Sequence, residues 1–323
     1  MKFFVLLLCL FQFSLATAQT ARQRTGFLFD GDDNLFGLKT KIILFHADGR
    51  EVPISTYDFS LFRSKLGQEG EVEINGIKYQ LRDLRLVDSE VSENHSYKQF
   101  KDHPDVPTFD EQIQEAIQEP NWKRSSWDAF VVASSNQIVA EEDTFLVTGR
   151  GHAPRSILSG ITNNFPEIKY AMKERNIWPV KFEHFIEFFY KRFGYYPPAE
   201  VGINISLRKL VVIKAILDEF EATPLPKMPQ SVSVLTPDMK EMRPMHLLGF
   251  SDDDIKTFET VRLDLGHELA KNRWPNVKIT LYFTTEKSQK SIVLIPNGGH
   301  RLSFEGQKEY LSILGNCSKY LFL

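Results

Sequence analysis

Short apolar runs alternate with longer amphipathic stretches along most of the chain. The apolar runs are typical of buried strands, and they occupy residues 26–30, 145–148, 231–235, 245–250 and 277–284. The amphipathic stretches carry apolar side chains at helical spacing, at residues 154–163, 166–176, 181–193, 207–220 and 252–273. Strands that alternate with helices predict an α/β fold with a doubly wound, Rossmann-like parallel sheet and helices on both faces.

Residues 40–87 have a pattern of their own, which is rich in β-strand signals. Segments that alternate polar and apolar side chains lie on either side of Asn75-Gly76, the favoured two-residue turn of a β-hairpin. Farther along, Thr108 and Glu111 form a capping-box pattern, which predicts the start of a helix. This part of the chain therefore predicts a hairpin followed by helices.

The composition is that of a well-packed globular protein. The 323 residues are 42% hydrophobic and include 26 phenylalanines, which is ample for a core. The net charge of −3 gives no reason to expect nucleic acid as a partner. Beyond the N-terminal segment no apolar stretch reaches the length of about 18 residues that marks a membrane-spanning helix, so the mature form is expected to be soluble.

The first 18 residues predict a cleaved signal peptide. Lys2 precedes the apolar run 3–15, and residues 16–18 form an A-x-A cleavage site. Cleavage after Ala18 predicts a secreted or periplasmic protein, and the alternative of a membrane anchor is disfavoured because the apolar run is short. Cys9 leaves with the signal, so Cys317 is the only cysteine of the mature chain, either a buried thiol or an intermolecular link.

Asp30 and Asp32 follow the first buried strand directly. A loop at a strand end can turn both carboxylates toward the same space. Carboxylates placed in this way can bind Mg²⁺, and one of them can attack phosphorus as a nucleophile. Taken alone, the motif has a simpler interpretation, which is an acidic turn after a strand.

Three further groups of polar residues follow at strand and helix ends. Thr148-Gly149-Arg150 closes the second strand with a hydroxyl, a glycine and a cation, all suited to phosphate. Lys209 lies in the first turn of the helix predicted from Leu207, with Ser206 as its N-cap. The last group is acidic and follows the strand at 245–250, with Asp252, Asp253 and Asp254 in succession.

The order of these motifs resembles that of the haloacid dehalogenase-like (HAD) hydrolase superfamily, whose members are mostly phosphatases. The order is an acid pair, the Thr-Gly-Arg group, a lysine and an acidic cluster. The resemblance covers residues 25–285, and Asn34 departs from it because Thr or Val usually stands there. It implies an α/β core of residues 19–39 and 143–285, an inserted cap or elaboration at 40–142, and a C-terminal β extension at 286–323.

The resemblance implies a Mg²⁺-dependent phosphomonoester hydrolase that acts through an aspartyl-phosphate. Asp30 would be the nucleophile, Asp32 the general acid and base, and Lys209 the group that neutralises charge. The implied phosphate ligands are Thr148, Gly149 and Arg150. The implied Mg²⁺ ligands are Asp30, Asp32 through its carbonyl, Asp252 and then Asp253.

Several alternatives stay open. Lys214 is a second candidate for the role of Lys209, Asp254 for that of a metal ligand, and His152 either contacts the phosphate or is a loop residue. A second function is a non-catalytic binding protein that keeps the fold, which Asn34 and the long insertion favour. The substrate is expected to be a phosphorylated small molecule, and neither its identity nor the oligomeric state follows from the sequence.

Overall fold

The structure is a computed structural model that describes residues 21–87, 95–135, 143–168, 172–226, 245–284, 289–295 and 299–303. The predicted signal peptide at 1–18, the strand candidate at 231–235 and Cys317 lie outside these residues. Within the described ranges, no helix combines the length and the apolar character needed to cross a membrane.

Twelve strands and seven α-helices make up the described part of the chain. The strands are β1 (Thr25–Phe29), β2 (Lys41–His46), β3 (Glu51–Ser55), β4 (Glu71–Ile74), β5 (Ile77–Gln80), β6 (Leu84–Arg85), β7 (Thr144–Thr148), β8 (Ile177–Pro179), β9 (His246–Asp252), β10 (Val277–Thr284), β11 (Gln289–Ile295) and β12 (Gly299–Ser303). The helices are α1 (Thr56–Phe62), α2 (Phe109–Ala116), α3 (Trp127–Ser135), α4 (Pro154–Asn164), α5 (Phe185–Phe193), α6 (Ile205–Glu221) and α7 (Ile255–Ala270).

A seven-stranded sheet in the order β12-β11-β10-β9-β1-β7-β8 forms the centre of the molecule. The five strands from β10 to β8 are parallel, whereas β11 and β12 add antiparallel to the β10 edge. The predicted α/β class with a parallel sheet is therefore confirmed.

Helices cover both faces of this sheet. Successive residues of β1 point to opposite sides, so Phe27 and Phe29 pack with α2, α3 and α4, whereas Leu28 packs with α5, α6 and α7. The chain runs from β1 to β7 and β8 in one direction, then reverses to β9 and β10 while its helices change face. Because the direction along the sheet and the face covered by the helices change together, the crossovers stay right-handed. The reversal places a topological switch point at β1, where open α/β sheets bind ligands beyond the strand ends.

Residues 41–87 and 95–100, which we call the insert module, form a separate small core. Strands β2, β3 and β6 make a three-stranded sheet, and β4 and β5 make a hairpin. Asn75 and Gly76 have φ values of 52° and 78°, as a tight hairpin turn requires, and the predicted hairpin is confirmed. Helices α2 and α3 pack on the main sheet instead, so the predicted insert 40–142 divides between two cores.

The start of α6 differs from the prediction. The helix begins at Ile205, and the side chain of Asn204 caps it by accepting from the Leu207 backbone NH at 3.1 Å. The prediction of Ser206 as the N-cap was wrong, because its hydroxyl lies inside the helix and bonds to Thr257 at 2.9 Å. Two polar residues separated by one position can both serve as caps, and only the contact with the neighbouring helix distinguishes them.

The predicted start of the helix at 252–273 was also wrong, because the first residue of the acidic cluster belongs to a strand. Asp252 is the last residue of β9, and α7 begins only at Ile255. Asp254 caps this helix by accepting from the Lys256 backbone NH. Asp252 therefore belongs to the end of a strand, whereas Asp254 belongs to the start of a helix.

The helix predicted at 166–176 was wrong. The described residues there form short 3₁₀ turns at Pro166–Ile168 and Glu174–Asn176, and β8 follows immediately. With only three residues, β8 is too short to produce a strand pattern. It nevertheless extends the parallel sheet beyond β7.

Candidate active site

The carboxyl ends of β1 and β9 bring two carboxylates to one lysine. Asp30 follows β1, Asp252 ends β9, and the Asp30 backbone NH donates to the carbonyl of Ser251 at 3.1 Å. Helix α6 supplies Lys209, whose Nζ lies 2.9 Å from Asp30 Oδ2 and 2.8 Å from Asp252 Oδ2. All three side chains are buried. The structure thus joins the first, third and fourth of the predicted motifs.

Asp253 completes a group of carboxylates that could hold a metal ion. Asp30, Asp252 and Asp253 each offer one carboxylate oxygen, and these oxygens lie within 4.8 Å of one another. A set made only of oxygen donors suits a hard cation such as Mg²⁺. Asp254 caps α7, and its backbone NH donates to Asp252 Oδ1 at 2.8 Å, so it orients a member of the group.

Burial and charge crowding dominate the electrostatics of this cluster. Burial raises the pKa of Asp30 to about 7, with Asp252 acting in the same direction and Lys209 opposing. Burial likewise raises the pKa of Asp252, and burial with the charges of Asp30 and Asp252 raises that of Asp253. Burial disfavours the charge of Lys209, but Asp252 and Asp30 outweigh it and raise its pKa. Three carboxylates facing one ammonium leave an excess of negative charge, which favours a bound cation.

Two oxygen atoms at the ends of β1 and β7 are buried and make no hydrogen bond within the described residues. They are Oδ1 of Asp30 and Oγ1 of Thr148. A Cβ added to Gly31 would lie 3.1 Å from the Thr148 hydroxyl oxygen, so a glycine lets the loop pass beside it. Buried polar atoms are nearly always paired in native proteins. These two oxygens therefore mark a place where the polar atoms of a ligand would fit.

The loop after β1 is anchored by Asn34, which is fully buried. Its Nδ2 donates to Thr284 Oγ1 at 3.1 Å, and its Oδ1 accepts from Ser251 Oγ at 3.2 Å. The amide thus ties the loop to the ends of β9 and β10. Asn34, which stands where the resembled motif usually has Thr or Val, is therefore a structural anchor of this loop.

Asp32 and Arg150 contact each other. Arg150 donates from Nε and Nη2 to Asp32 Oδ1 at 3.0 and 2.6 Å. The Asp32 side chain is 20% exposed, and that of Arg150 is 1% exposed. The predicted phosphate ligand Arg150 is thus already bound to a carboxylate. Gly149 is half-buried beside Ile205.

The structure separates the lysine candidates. Lys214 pairs with Asp264 of α7, whereas Lys209 contacts the carboxylates. Both lysines lie on α6, but five residues place them on different sides of the helix.

His152 lies behind the site, with no exposed surface, and its ring packs on Phe109 at 5.4 Å between centroids. Burial, followed by the charge of Arg150, lowers its pKa to about 2, while the Phe100 backbone opposes this. A histidine that stays neutral throughout the physiological range and is buried does not suit proton transfer at the site.

The buried His152 is expected to lower the unfolding free energy in acid. Its pKa is about 2 in the folded protein and about 6.5 in the unfolded chain, so the unfolded chain binds the extra proton and stability falls as the pH drops below about 6.5. Between pH 7 and 5 this group should cost about 2 kcal/mol of unfolding free energy. Urea unfolding at pH 7 and pH 5 should show that His152→Gln removes this contribution of about 2 kcal/mol from the change in unfolding free energy, to which the raised pKa values of Asp30 and Asp252 contribute with the opposite sign. The exposed His184→Gln should leave the change in unfolding free energy between pH 7 and pH 5 as it is in the unsubstituted chain. An equal change in all three proteins would contradict the prediction.

Sequence reasoning missed two residues that hold Arg150. Gln112 Oε1 accepts from Nη1 at 2.9 Å, and Thr40 Oγ1 accepts from Nη2 at 2.7 Å. Gln112 had a detectable signal, because it is a polar residue on the buried face of α2 between Phe109 and Ile113. Thr40 lies in a loop and carries no such signal.

The fold and the site define an α/β protein with a buried carboxylate–lysine centre at the switch point of its sheet. Comparisons of the chain with protein-family models, curated proteins and solved structures find no match. The geometry of the site therefore has to carry the functional argument.

Proposed function

We propose that the protein is a Mg²⁺-dependent phosphomonoester hydrolase that forms an aspartyl-phosphate on Asp30. The observation that carries this proposal is that the two carboxylate oxygens of Asp30 differ in their contacts. Oδ2 is held by Lys209 at 2.9 Å, whereas Oδ1 is buried and makes no hydrogen bond among the described residues. A carboxylate fixed through one oxygen presents the other as a nucleophile.

In the first step, Oδ1 of Asp30 attacks phosphorus and the bond from phosphorus to the leaving-group oxygen breaks. The leaving group takes a proton from Asp32. In the second step, water attacks the phosphorus of the aspartyl-phosphate, Asp32 accepts the water proton, and the bond to Asp30 breaks. Inorganic phosphate leaves, and both aspartates return to their starting states.

The remaining residues stabilise charge. The ammonium of Lys209 faces both Asp30 and Asp252, so it limits repulsion between the nucleophile and an anionic phosphate. The Thr148 hydroxyl, which has no partner among the described residues, would donate to a phosphoryl oxygen. These interactions strengthen as charge shifts in the transition state, which is where they accelerate the reaction.

The acidic group fits a Mg²⁺ ion. Asp30, Asp252 and Asp253 would hold it, because they form an oxygen-only set of suitable spacing. When bound, Mg²⁺ would offset the repulsion between the carboxylates and an anionic phosphate ester. The order of motifs that resembles the HAD-like hydrolases supports the same chemistry. The predicted signal peptide supports action outside the cytoplasm on a phosphorylated small molecule.

Hydrolysis of 4-nitrophenyl phosphate by the chain from residue 19 onward tests the proposal. We expect turnover with Mg²⁺ and none with EDTA, and calorimetry should show that fluoroberyllate, a phosphate mimic, binds only when Mg²⁺ is present. An insert that excludes this aryl ester would prevent turnover without preventing binding of the smaller fluoroberyllate, so both measurements are needed. Folded protein that binds neither Mg²⁺ nor fluoroberyllate would overturn the proposal and favour a non-catalytic binding protein.

A further inference from the structure

Arg150 is held from several sides in the interior. Its guanidinium donates to Asp32, Gln112 and Thr40, at distances from 2.6 to 3.0 Å. It also lies 5.1 Å from the ring centroid of Phe100 and 5.0 Å from that of Phe109. A planar cation fixed by hydrogen bonds and two rings has little freedom to turn.

Both bonds from Arg150 to Asp32 reach the same oxygen, Oδ1. Within the described residues no hydrogen bond reaches Oδ2. A carboxyl group that carries a proton on Oδ2 can keep both bonds at Oδ1. The arrangement therefore fixes the carboxyl group while leaving one oxygen to gain and lose a proton.

We propose that Arg150 is a positioning residue that orients Asp32 for proton transfer to the leaving group, rather than a ligand of the phosphate. The inference rests on the proposed function, since it assigns Asp32 its acid role in that reaction. The proton moves from Asp32 Oδ2 to the leaving-group oxygen as the phosphorus–oxygen bond breaks. Arg150 transfers nothing and keeps its hydrogen bonds throughout.

The insert module takes part in this positioning. Phe100 belongs to the module, packs on the guanidinium and accepts from the Gly151 backbone NH at 2.8 Å. Gln112 of α2 also donates to the carbonyl of Gln99 at 3.0 Å, at the end of the module. The end of the module is thus hydrogen-bonded to Gly151, which follows Arg150, and to Gln112, which accepts from the Arg150 guanidinium. Its placement therefore contributes to the orientation of Asp32.

Leaving-group dependence distinguishes positioning from phosphate binding. An alkoxide leaves poorly without a proton, whereas 4-nitrophenolate leaves readily, so a misplaced acid affects mainly the alkyl ester. We expect Arg150→Met to lower kcat/KM by about 10²-fold or more on glycerol 2-phosphate and by less than about 10-fold on 4-nitrophenyl phosphate. Because kcat/KM reports only the steps up to departure of the leaving group, hydrolysis of the intermediate does not obscure the comparison.

A double-mutant cycle adds a second readout. Asp32→Asn should show the same selectivity, and adding Arg150→Met to it should cost little more, because both changes remove one function. The exposed Arg82→Met serves as the control and should leave both substrates unaffected. Equal losses on both esters, additive with Asp32→Asn, would overturn the inference and restore a phosphate-binding role.

Thr40→Val covers the case in which Arg150→Met fails to fold. It removes one bond to the guanidinium without touching Asp32, and it should show a weaker loss that again falls mainly on the alkyl ester. A uniform loss in this variant would contradict the inference. If the unsubstituted protein hydrolyses neither ester, the proposed function fails and the inference fails with it. If it hydrolyses both esters and the variants lose them equally, only the inference fails.

Discussion

Asp30→Asn is expected to lower Mg²⁺-dependent turnover by about 10⁴- to 10⁶-fold, which is the scale of losing a catalytic nucleophile. The amide has nearly the same size as the carboxylate, but it is a poor nucleophile and forms no aspartyl-phosphate. The same variant should no longer bind fluoroberyllate in calorimetry. Steady-state turnover at saturating Mg²⁺ measures the effect.

The loss should not come from unfolding. Burial already raises the pKa of Asp30 to about 7, so a neutral group is well tolerated at this position. Lys209 also keeps Asp252 as a partner at 2.8 Å. Urea unfolding should therefore show that Asp30→Asn folds as stably as the unsubstituted chain in EDTA.

Asp33→Asn is the matched control for this experiment. It makes the same chemical change in the same loop, and its φ of 55° is one that asparagine adopts readily. Its carboxylate accepts from Thr56 at 2.7 Å and lies outside the carboxylate group that contacts Lys209. Turnover in Asp33→Asn should stay within about tenfold of the unsubstituted chain, since Asp33 takes no part in the proposed chemical steps and acts on the carboxylate group only through its charge. Comparable losses in both variants would argue against a nucleophilic Asp30.

Strand ends explain why part of the site could be predicted from the sequence. The carboxylates after β1 and at the end of β9 stand beside each other because parallel strands place their carboxyl ends on one edge. Thr148 follows from the same rule, since β7 is the other neighbour of β1. Local patterns suffice here because each residue is placed by its own strand.

The contacts of Arg150 could not be predicted from strand ends. Its partners come from three separate parts of the chain, and no local pattern indicates that a cation after one strand will meet Asp32 rather than a ligand. The N-cap of α6 was mispredicted for a related reason, because Asn and Ser are about equally favoured at N-caps and the contact of Ser206 with Thr257 cannot be read from the sequence. Tertiary contacts decided both cases.

The division of the insert could not be predicted either. The amphipathic pattern of α2 indicates that one face is buried, but not which core buries it. In the structure Phe109 and Ile113 join the cluster on the main sheet, whereas Phe100, just before them in the chain, joins the insert module. The boundary between the two cores therefore falls inside the segment 40–142 that was predicted as one insert.

Lys209→Met is expected to lower the unfolding free energy by about 3–5 kcal/mol in EDTA, because it leaves buried carboxylates without their cation. Both contacts, to Asp30 at 2.9 Å and to Asp252 at 2.8 Å, are lost together. Lys214→Met is the matched control on the same helix. Its partner Asp264 is partly exposed, so this change should cost no more than about 1 kcal/mol.

The pH and Mg²⁺ dependence of this loss identifies its cause. Burial raises the folded-state pKa of Asp30 and Asp252, and removing the ammonium that opposes this raises both further. A raised folded-state pKa means that stability is lost as the pH rises through it, so the gap between the unsubstituted chain and Lys209→Met should widen from pH 5 to pH 8. Mg²⁺ should narrow the gap, because the ion replaces the lost positive charge. Urea unfolding at both pH values, with EDTA and with Mg²⁺, measures this, and a gap independent of both would show that Lys209 acts through packing rather than through its charge.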